Sequence, residues 1–373
     1  MHIRTFFTAI LLLACVACGG NSGGGIPPVP GAAASLIYTA DSAGSVSAFV
    51  LDTDTGGMIA IPGSPFAAPP QAFSVAATPN GGHLYATSFQ NSTVTGYSVA
   101  LGTGVLTALA CPAANTDMQP MNMVIDPTGT FLYTENQAGS VSGFTINSNT
   151  GCLTAIAGSP FAAAAVPRSI AMDRTGKFLF VAIGGSTTST INVYSVQAGT
   201  GVLTPVAGVG SFVSSFSNMT TSPTADVLFV SDAGGYNRVH VFTINTTSGA
   251  LAEISGSPYS TGGTDPDGMA VTPSGGFLYV TNTASRNISA FSIASSGALT
   301  AVSGSPFAGG VGPISADVDW SGAFLFVTNN GGGTLTTFRI GTSGTLSPGA
   351  SLATGNGPHV VTSIKSSTSR GTS

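Results

Sequence analysis

A period of 47 to 50 residues runs through the chain and narrows its folds more than any other feature. Aligned on a short strand of the Leu-Tyr-Val type, the copies begin at Leu36, Leu84, Leu132, Leu179, Leu228, Leu278 and Leu325. Residues 277–307 show the unit in full. Residues 278–280 form one strand, ending at Asn282, and residues 288–293 a second. Ser296-Gly297 turns the chain, and residues 299–302 form a third before Gly304-Ser305-Pro306-Phe307. The turn recurs in every copy as Thr-Gly or Ser-Gly, from Thr55-Gly56 to Ser343-Gly344, where glycine supplies the positive φ of a tight hairpin.

An aromatic residue stands in each strand before that turn: Phe49, Tyr97, Phe144, Tyr194, Phe242, Phe291 and Phe338. The residue before it is small or β-branched: Ala48, Gly96, Gly143, Val193, Val241, Ala290 and Thr337. Neighbours in a strand face opposite ways, so each sheet carries bulky groups on one face and smaller ones on the other. Sheets of this kind stack around a ring.

A fourth strand precedes each unit, as at residues 123–126, 170–173 and 269–272. With that strand as A, the order within a blade is A, B, C, D, with A innermost. The repeats start at Ser35 with strand B, and residues 358–364 supply an A strand with no partner of its own. Closure follows if this last strand completes the N-terminal blade, which removes the open edge. The expectation is an all-β, seven-bladed β-propeller over residues 35–365, with four antiparallel strands per blade and a polar tail at 366–373. Gly-Ser-Pro-Phe/Tyr recurs at Gly63, Gly158, Gly256 and Gly304, after strand D. Proline there blunts the outer edge, and the aromatic is expected between blades.

Only 6% of residues are charged and the net charge is −5, with 43% hydrophobic residues. No basic stripe exists to bind nucleic acid. A surface solvated by hydroxyls and amides fits an exported protein. The N-terminus agrees: Arg4 precedes an apolar run of about nine residues, too short for the roughly 20 that span a bilayer and right for a signal peptide. Leu12-Leu13-Ala14-Cys15 and the nearby Cys18 resemble a lipoprotein lipobox, so residues 1–18 read as a signal with lipidation at Cys15 or Cys18. An ordinary secreted protein cleaved near Ala17 is the alternative. Residues 19–34 form a flexible Gly/Pro linker. The membrane is met through that anchor alone, and the protein is expected as a monomer in the periplasm or at the cell surface.

Strand directions put the D-to-A and B-to-C connections on one face of the ring. The starts of the A strands then converge on one mouth of the central channel: Phe73, Met121, Arg168, Ser217, Asp267, Ile314 and His359. The next column adds Asn122 and Asn218. Ends of B strands add Glu135, Asn136, Asp232, Asn282 and Asn329. Asn122, Asn218, Asn136 and Asn282 are candidate ligand contacts. Asn282, Asn329, Asp41 and Asp232 also read as Asx turns. Asp126, Asp173 and Asp319 share one column before the A-to-B turn, where a carboxylate bonds turn amides. His83, in an A-to-B turn, and His240, in a C strand, read as structural.

Strands written LYVTN, VSxFxI and TGxL with P-x-G turns resemble the lactonase-type seven-bladed propellers. That group includes the propeller form of 6-phosphogluconolactonase and the YVTN-repeat surface proteins. The resemblance covers residues 35–365 and implies lactone hydrolysis at the channel mouth, with Pro167-Arg168 and Pro358-His359 at the family's Pro-Arg and Pro-His positions. Arg168 would bind the carbonyl or a carboxylate, His359 would act as base, and Asp267 or Glu135 would orient it. One Arg and one His are fewer bases than a phosphorylated sugar lactone calls for. A non-catalytic propeller binding a sugar-like ligand or an envelope protein therefore stays open beside the enzyme.

No cofactor or metal is implied. Asp265-Pro266-Asp267-Gly268 and Asp52-Thr53-Asp54 do not continue into calcium loops. Residues 35–365 hold no Gly-x-Ser-x-Gly elbow, and Gly262-Gly263 and Gly331-Gly332-Gly333 lack a phosphate-loop lysine. Cys111 and Cys152 would stand at opposite ends of neighbouring D strands, about 20 Å apart if each strand holds six residues. They are expected not to be bonded.

Overall fold

The structure, a computed structural model, describes residues 34–184 and 188–367. The signal, both candidate lipidation cysteines and residues 19–33 of the linker lie outside the described residues. Seven antiparallel sheets stand around a central channel. Blade I takes Pro358–Lys365 as its inner strand A and Ser35–Asp41, Ser45–Leu51 and Met58–Ala60 as B, C and D. The pattern then repeats from Ala72 to Ala353 in blades II to VII. Inner strands of successive blades touch all the way round, with the strand at 358–365 between those at Pro313–Val318 and Ala72–Ala77. Leu36 pairs with Ile364 and Tyr38 with Thr362 in the closing ladder. Past this strand, Ser366 donates its N–H to the Ala34 carbonyl and its Oγ to Leu101 O, so both chain ends are tied to blade II.

The alternation of large and small residues has a clear use. Tyr38 pairs across the B–C ladder with Ala48, Tyr85 with Gly96, Tyr133 with Gly143 and Tyr279 with Ala290. A Cβ on Gly143 would sit 3.0 Å from the Tyr133 ring, so the small C-strand residue makes room for the B-strand aromatic. Each tyrosine then reaches the next blade. Its hydroxyl donates to the carbonyl of that blade's turn glycine: Tyr38 to Gly104 at 2.8 Å, Tyr85 to Gly151 at 2.7 Å, Tyr133 to Gly201 at 2.6 Å and Tyr279 to Gly344 at 3.1 Å. The turn needs glycine twice over. Gly201 has φ +71°, and a Cβ there would lie 2.6 Å from the Phe131 ring of blade III.

Three expectations need correction. Blade I is read one residue early: Ile37, not Leu36, opposes the aromatic Phe49, as Leu84 opposes Tyr97. Gly-Ser-Pro-Phe/Tyr does not end strand D but interrupts it. Only three residues pair before it, and Phe66–Ala67, Phe161–Ala162, Tyr259–Ser260 and Phe307–Ala308 pair again with strand C after it. The motif's serine accepts the strand-C N–H left over by the break, as Ser64 Oγ does from Ala48 N at 2.8 Å. The following aromatics pack at the margins of the inter-blade cores, as expected.

The third correction is a disulfide. Cys111 and Cys152 are bonded, with Cα atoms 5.9 Å apart. Strand D of blade II stops at Ala108 and pairing resumes at Ala114–Asn115, so Cys111 lies in the break instead of 20 Å along a continuous strand. It stands where other blades carry the glycine of Gly-Ser-Pro-Phe. The bond joins the outer edges of blades II and III and closes a separation of 41 residues. A loop of that length is worth about 3–4 kcal/mol. The Cys111→Ser, Cys152→Ser variant should melt several degrees lower than the parent. Reductant should lower the parent by a like amount and leave the variant unmoved, as read by thermal scanning.

Candidate active site at the channel mouth

Each A strand pairs with its B strand through a register shift near the mouth, as between Pro120 and Met123, Phe216 and Asn218, or Pro313 and Ser315. Such a bulge adds a residue and turns two successive side chains toward the same side. The channel mouth is accordingly lined by neighbours: Met121 and Asn122, Ser217 and Asn218, Ile314 and Ser315, His359 and Val360. The cavity measures about 420 Å³. Phe73, Met121, Arg168, Ser217, Asp267, Ile314 and His359, one from each blade, all line it, as the strand directions predict. Ser215, Phe216, Ser315 and Val360 join them, and the sequence reading missed these four. Strict alternation hides the second residue of a bulged pair.

Three ionisable side chains share this cavity. Arg168 is exposed and makes no ion pair among the described residues, so its guanidinium faces the cavity unneutralised. His359 stacks on Phe73, with ring centroids 4.5 Å apart and 26° between planes. Burial pushes the imidazole below its ordinary value, so it is neutral at pH 7. Burial, and then the nearby Asp265, push the Asp267 carboxyl up to about 7.

Glu135 lies behind this lining, 1% exposed. Its Oε1 accepts Asn122 Nδ2 at 2.7 Å and Asn122 N at 3.4 Å, while its Oε2 is buried with no partner among the described residues. Burial lifts this carboxyl to about 8, against the opposing pull of Asn122 and Arg168. Glu135 is therefore mostly protonated at neutral pH. In three other blades the equivalent is a hydroxyl that donates to the next blade's channel strand: Thr87 to Met121 O at 3.0 Å, Ser231 to Asp267 O at 3.0 Å and Thr328 to His359 O at 2.5 Å. Blades I and IV have Ala40 and Ala182 there, and Thr281 of blade VI donates to Gly268 O of its own A strand. The structure brings neither Glu135 nor Asp267 into a hydrogen bond with the His359 ring. Glu135 holds Asn122 instead.

Residues 41–162, 210–308 and 233–366 match the family described as Lactonase, 7-bladed beta-propeller, over well more than half the chain. The protein belongs to this lactonase family. Among solved structures, a protein provisionally designated 6-phosphogluconolactonase from Bacteroides uniformis superposes with a TM-score of 0.75 at 17% identity, covering 89% of this chain and 99% of that one. A like-designated protein from Bacteroides fragilis gives 0.74 at 16%, covering 91% and 100%. The periplasmic gluconolactonase of Pseudomonas aeruginosa gives 0.71 at 17%, covering 90% and 99%. These identities show the fold alone. No curated protein sequence matches.

Within this lactonase propeller, the remaining candidates hold the blades together. Asn136 donates to Ser140 and Ser142 Oγ, Asn282 to Asn287 Oδ1 and Ser289 Oγ, and Asn329 to Thr334 and Thr336 Oγ1. Asp41 accepts from Ser45 and Ser47. These side chains clamp strand B to strand C across the hairpin, in place of the expected Asx turns, and none lines the cavity. Asp126, Asp173 and Asp319 do cap their turns, each accepting backbone N–H groups four or five residues on.

Blade V adds a cluster that the sequence did not suggest. His240 bridges Glu253 (Nδ1 to Oε1, 2.7 Å) and Asp232 (Nε2 to Oδ2, 3.3 Å), and Arg238 Nε donates to Asp232 Oδ2 at 2.8 Å. Burial opposes ionisation of Asp232, but these bonds and that from Ser215 N outweigh it and hold the carboxyl below its ordinary range. Asp232 takes Ser215 N at 2.6 Å, and Arg238 Nη2 reaches Val213 O at 3.1 Å. The cluster thus fixes the connection that brings Ser215 and Phe216 to the cavity wall.

Proposed function

We propose that this lactonase-family propeller hydrolyses a lactone or related small ester at the channel mouth, outside the cytosol. The observation that carries the reading is the convergence of a free guanidinium, a neutral imidazole and a carboxyl with a raised pKa on one cavity of about 420 Å³. A volume of this size admits a small molecule. Arg168 polarises the carbonyl, with Asn122 Nδ2 held nearby by Glu135. His359 takes a proton from water as its oxygen bonds to the carbonyl carbon. The resulting oxyanion is stabilised by Arg168. Collapse breaks the bond from that carbon to the ring oxygen, which takes its proton from Asp267. The product is the open hydroxy acid, one water is consumed, and proton exchange with solvent returns His359 to neutral and Asp267 to its acid form.

This scheme fixes the pH profile. His359 must be neutral, so kcat/KM falls on the acid side, at a pH lower than the ordinary histidine value of about 6.5 because burial disfavours the imidazolium. Asp267 must be protonated, so kcat/KM also falls as pH rises through about 7. The expected profile is a bell with its alkaline limb near 7 and its acid limb below the ordinary histidine value. In Asp267→Asn the alkaline limb should vanish and the plateau drop. An unchanged alkaline limb in that variant would remove Asp267 from the acid role.

Two observations support export. The Cys111–Cys152 disulfide suits an oxidising compartment, and the surface is poor in charge. A second reading, ligand binding without turnover, draws on the lack of a carboxyl partner for His359. Calorimetric binding of an aldonic acid or lactone by folded protein that hydrolyses no lactone would establish it.

A further inference from the structure

The six exposed large hydrophobic residues among those described are unevenly placed. Met118 (65% exposed), Val166 (42%), Val213 (70%) and Val311 (47%) all sit in D-to-A connections, on the mouth face. Three of them belong to consecutive blades, III, IV and V, and Val166 lies two residues before Arg168. Below this crescent, Met121 on blade III and Phe216 on blade V add apolar surface on either side of the Arg168 position, beside the polar Asn122 and Ser217. The facing rim is mixed: Gln71 on blade II, Asp265 on blade VI and Asn356 on blade I occupy the same connections, with Val311 alone on blade VII. Exposed apolar side chains gathered beside a functional cavity mark a binding surface.

We propose that the substrate of this site is an amphiphilic lactone or ester, with its carbonyl at Arg168 and an unbranched apolar tail lying over Met118, Val166 and Val213. This rests on the hydrolytic reading above and names the substrate class within it. The single cation suits one carbonyl or carboxylate head. The crescent gives the tail a one-sided track from that head to the rim, and a polyhydroxylated ring gains nothing from it. Blade V's charged cluster makes the track rigid, because Arg238 and Asp232 hold the segment carrying Val213 through its carbonyl and the Ser215 N–H.

The test is a homologous series of γ-lactones with alkyl side chains of zero to eight carbons, compared with glucono-δ-lactone. Burial of a methylene is worth about two- to fourfold in kcat/KM, depending on how fully the rim covers it. The expected result is a rise of that size per carbon over at least four carbons. The Met118→Ser, Val213→Ser variant, which adds no charge near Arg168, should flatten the slope, read as the ratio of kcat/KM for the longest lactone to that for the shortest. Turnover that is flat in chain length, or a slope the variant retains, overturns the proposal and leaves lactone hydrolysis standing. Flat turnover together with sedimentation on phosphatidylcholine vesicles, lost in the variant, assigns the crescent to a membrane and also overturns it. No turnover of any lactone by folded protein removes the hydrolytic reading and this inference with it.

Discussion

Arg168→Ala should lower kcat for the best lactone by about 100- to 1000-fold, the usual cost of removing a donor to a developing oxyanion. The side chain is exposed and makes no ion pair among the described residues, so thermal stability should stay within a degree or two of the parent. His359→Ala removes the proposed general base and should cost about 100- to 10,000-fold, with the acid limb of the pH profile lost. The pattern matters as much as the size. A guanidinium that acts only as charge develops lowers kcat and leaves KM alone, whereas one that grips a ground-state carboxylate raises KM. Steady-state kinetics of each single variant and the double variant separate these cases. Because the two groups act on one tetrahedral intermediate, the double variant should lose less than the product of the single losses. Full activity in either single variant would move the chemistry away from this mouth.

The ring was legible because the period repeats a set of physical demands. A turn needs glycine, a stacked sheet needs large opposite small, and an unpartnered terminal strand needs a sheet to join. Register and strand direction then brought Phe73, Met121, Arg168, Ser217, Asp267, Ile314 and His359 to one cavity without further information. The disulfide was illegible for a related reason. Strand D was read as continuous, and nothing local shows that Gly-Ser-Pro-Phe splits it. Blade II, which has Cys111-Pro112 at the break, shows the split least of all.

The chemistry of the site was less legible than its address. Glu135 reads as an acid near the mouth, but its burial depends on packing between blades, and its bond to Asn122 on the register shift within blade III. A carboxyl at a position where other blades place Thr, Ser or Ala, such as Thr87, Thr328 and Ala182, was the available signal. Likewise Ser215 and Phe216 reach the cavity through a bulge and a clamp from Asp232 and Arg238, which stand on the next two strands of the same blade. The expected histidine–carboxylate pair failed on the same ground. Both residues line the mouth, but the ring finds Phe73, not an acid, within reach.

Deleting residues 358–373 should abolish the cooperative unfolding transition altogether. The deletion removes the inner strand of blade I, with buried Val361 and Ile364, and the ladder from Leu36–Ile364 to Asp41–Pro358. It also removes the bonds to the neighbouring blade, Thr328 to His359 O and Val361 N to Ser315 Oγ. Two buried aliphatic side chains at about 2 kcal/mol each, with some six hydrogen bonds at about 1 kcal/mol each, come to about 10 kcal/mol. That is comparable with the whole stability of a folded protein. Loss of sequence alone does not explain such an effect, so a permutant is the control. Because Ser366 N meets Ala34 O at 2.9 Å, residues 358–367 can be moved ahead of residue 34 through a short linker, with new ends at Gly357 and Pro358. The same strand then arrives from the other direction in chain order but occupies the same place. It should restore a single transition near that of the parent, by calorimetry. If the truncated protein melts like the parent, the ring does not depend on its closing strand. If the permutant fails as the truncation does, closure alone is not what the strand provides.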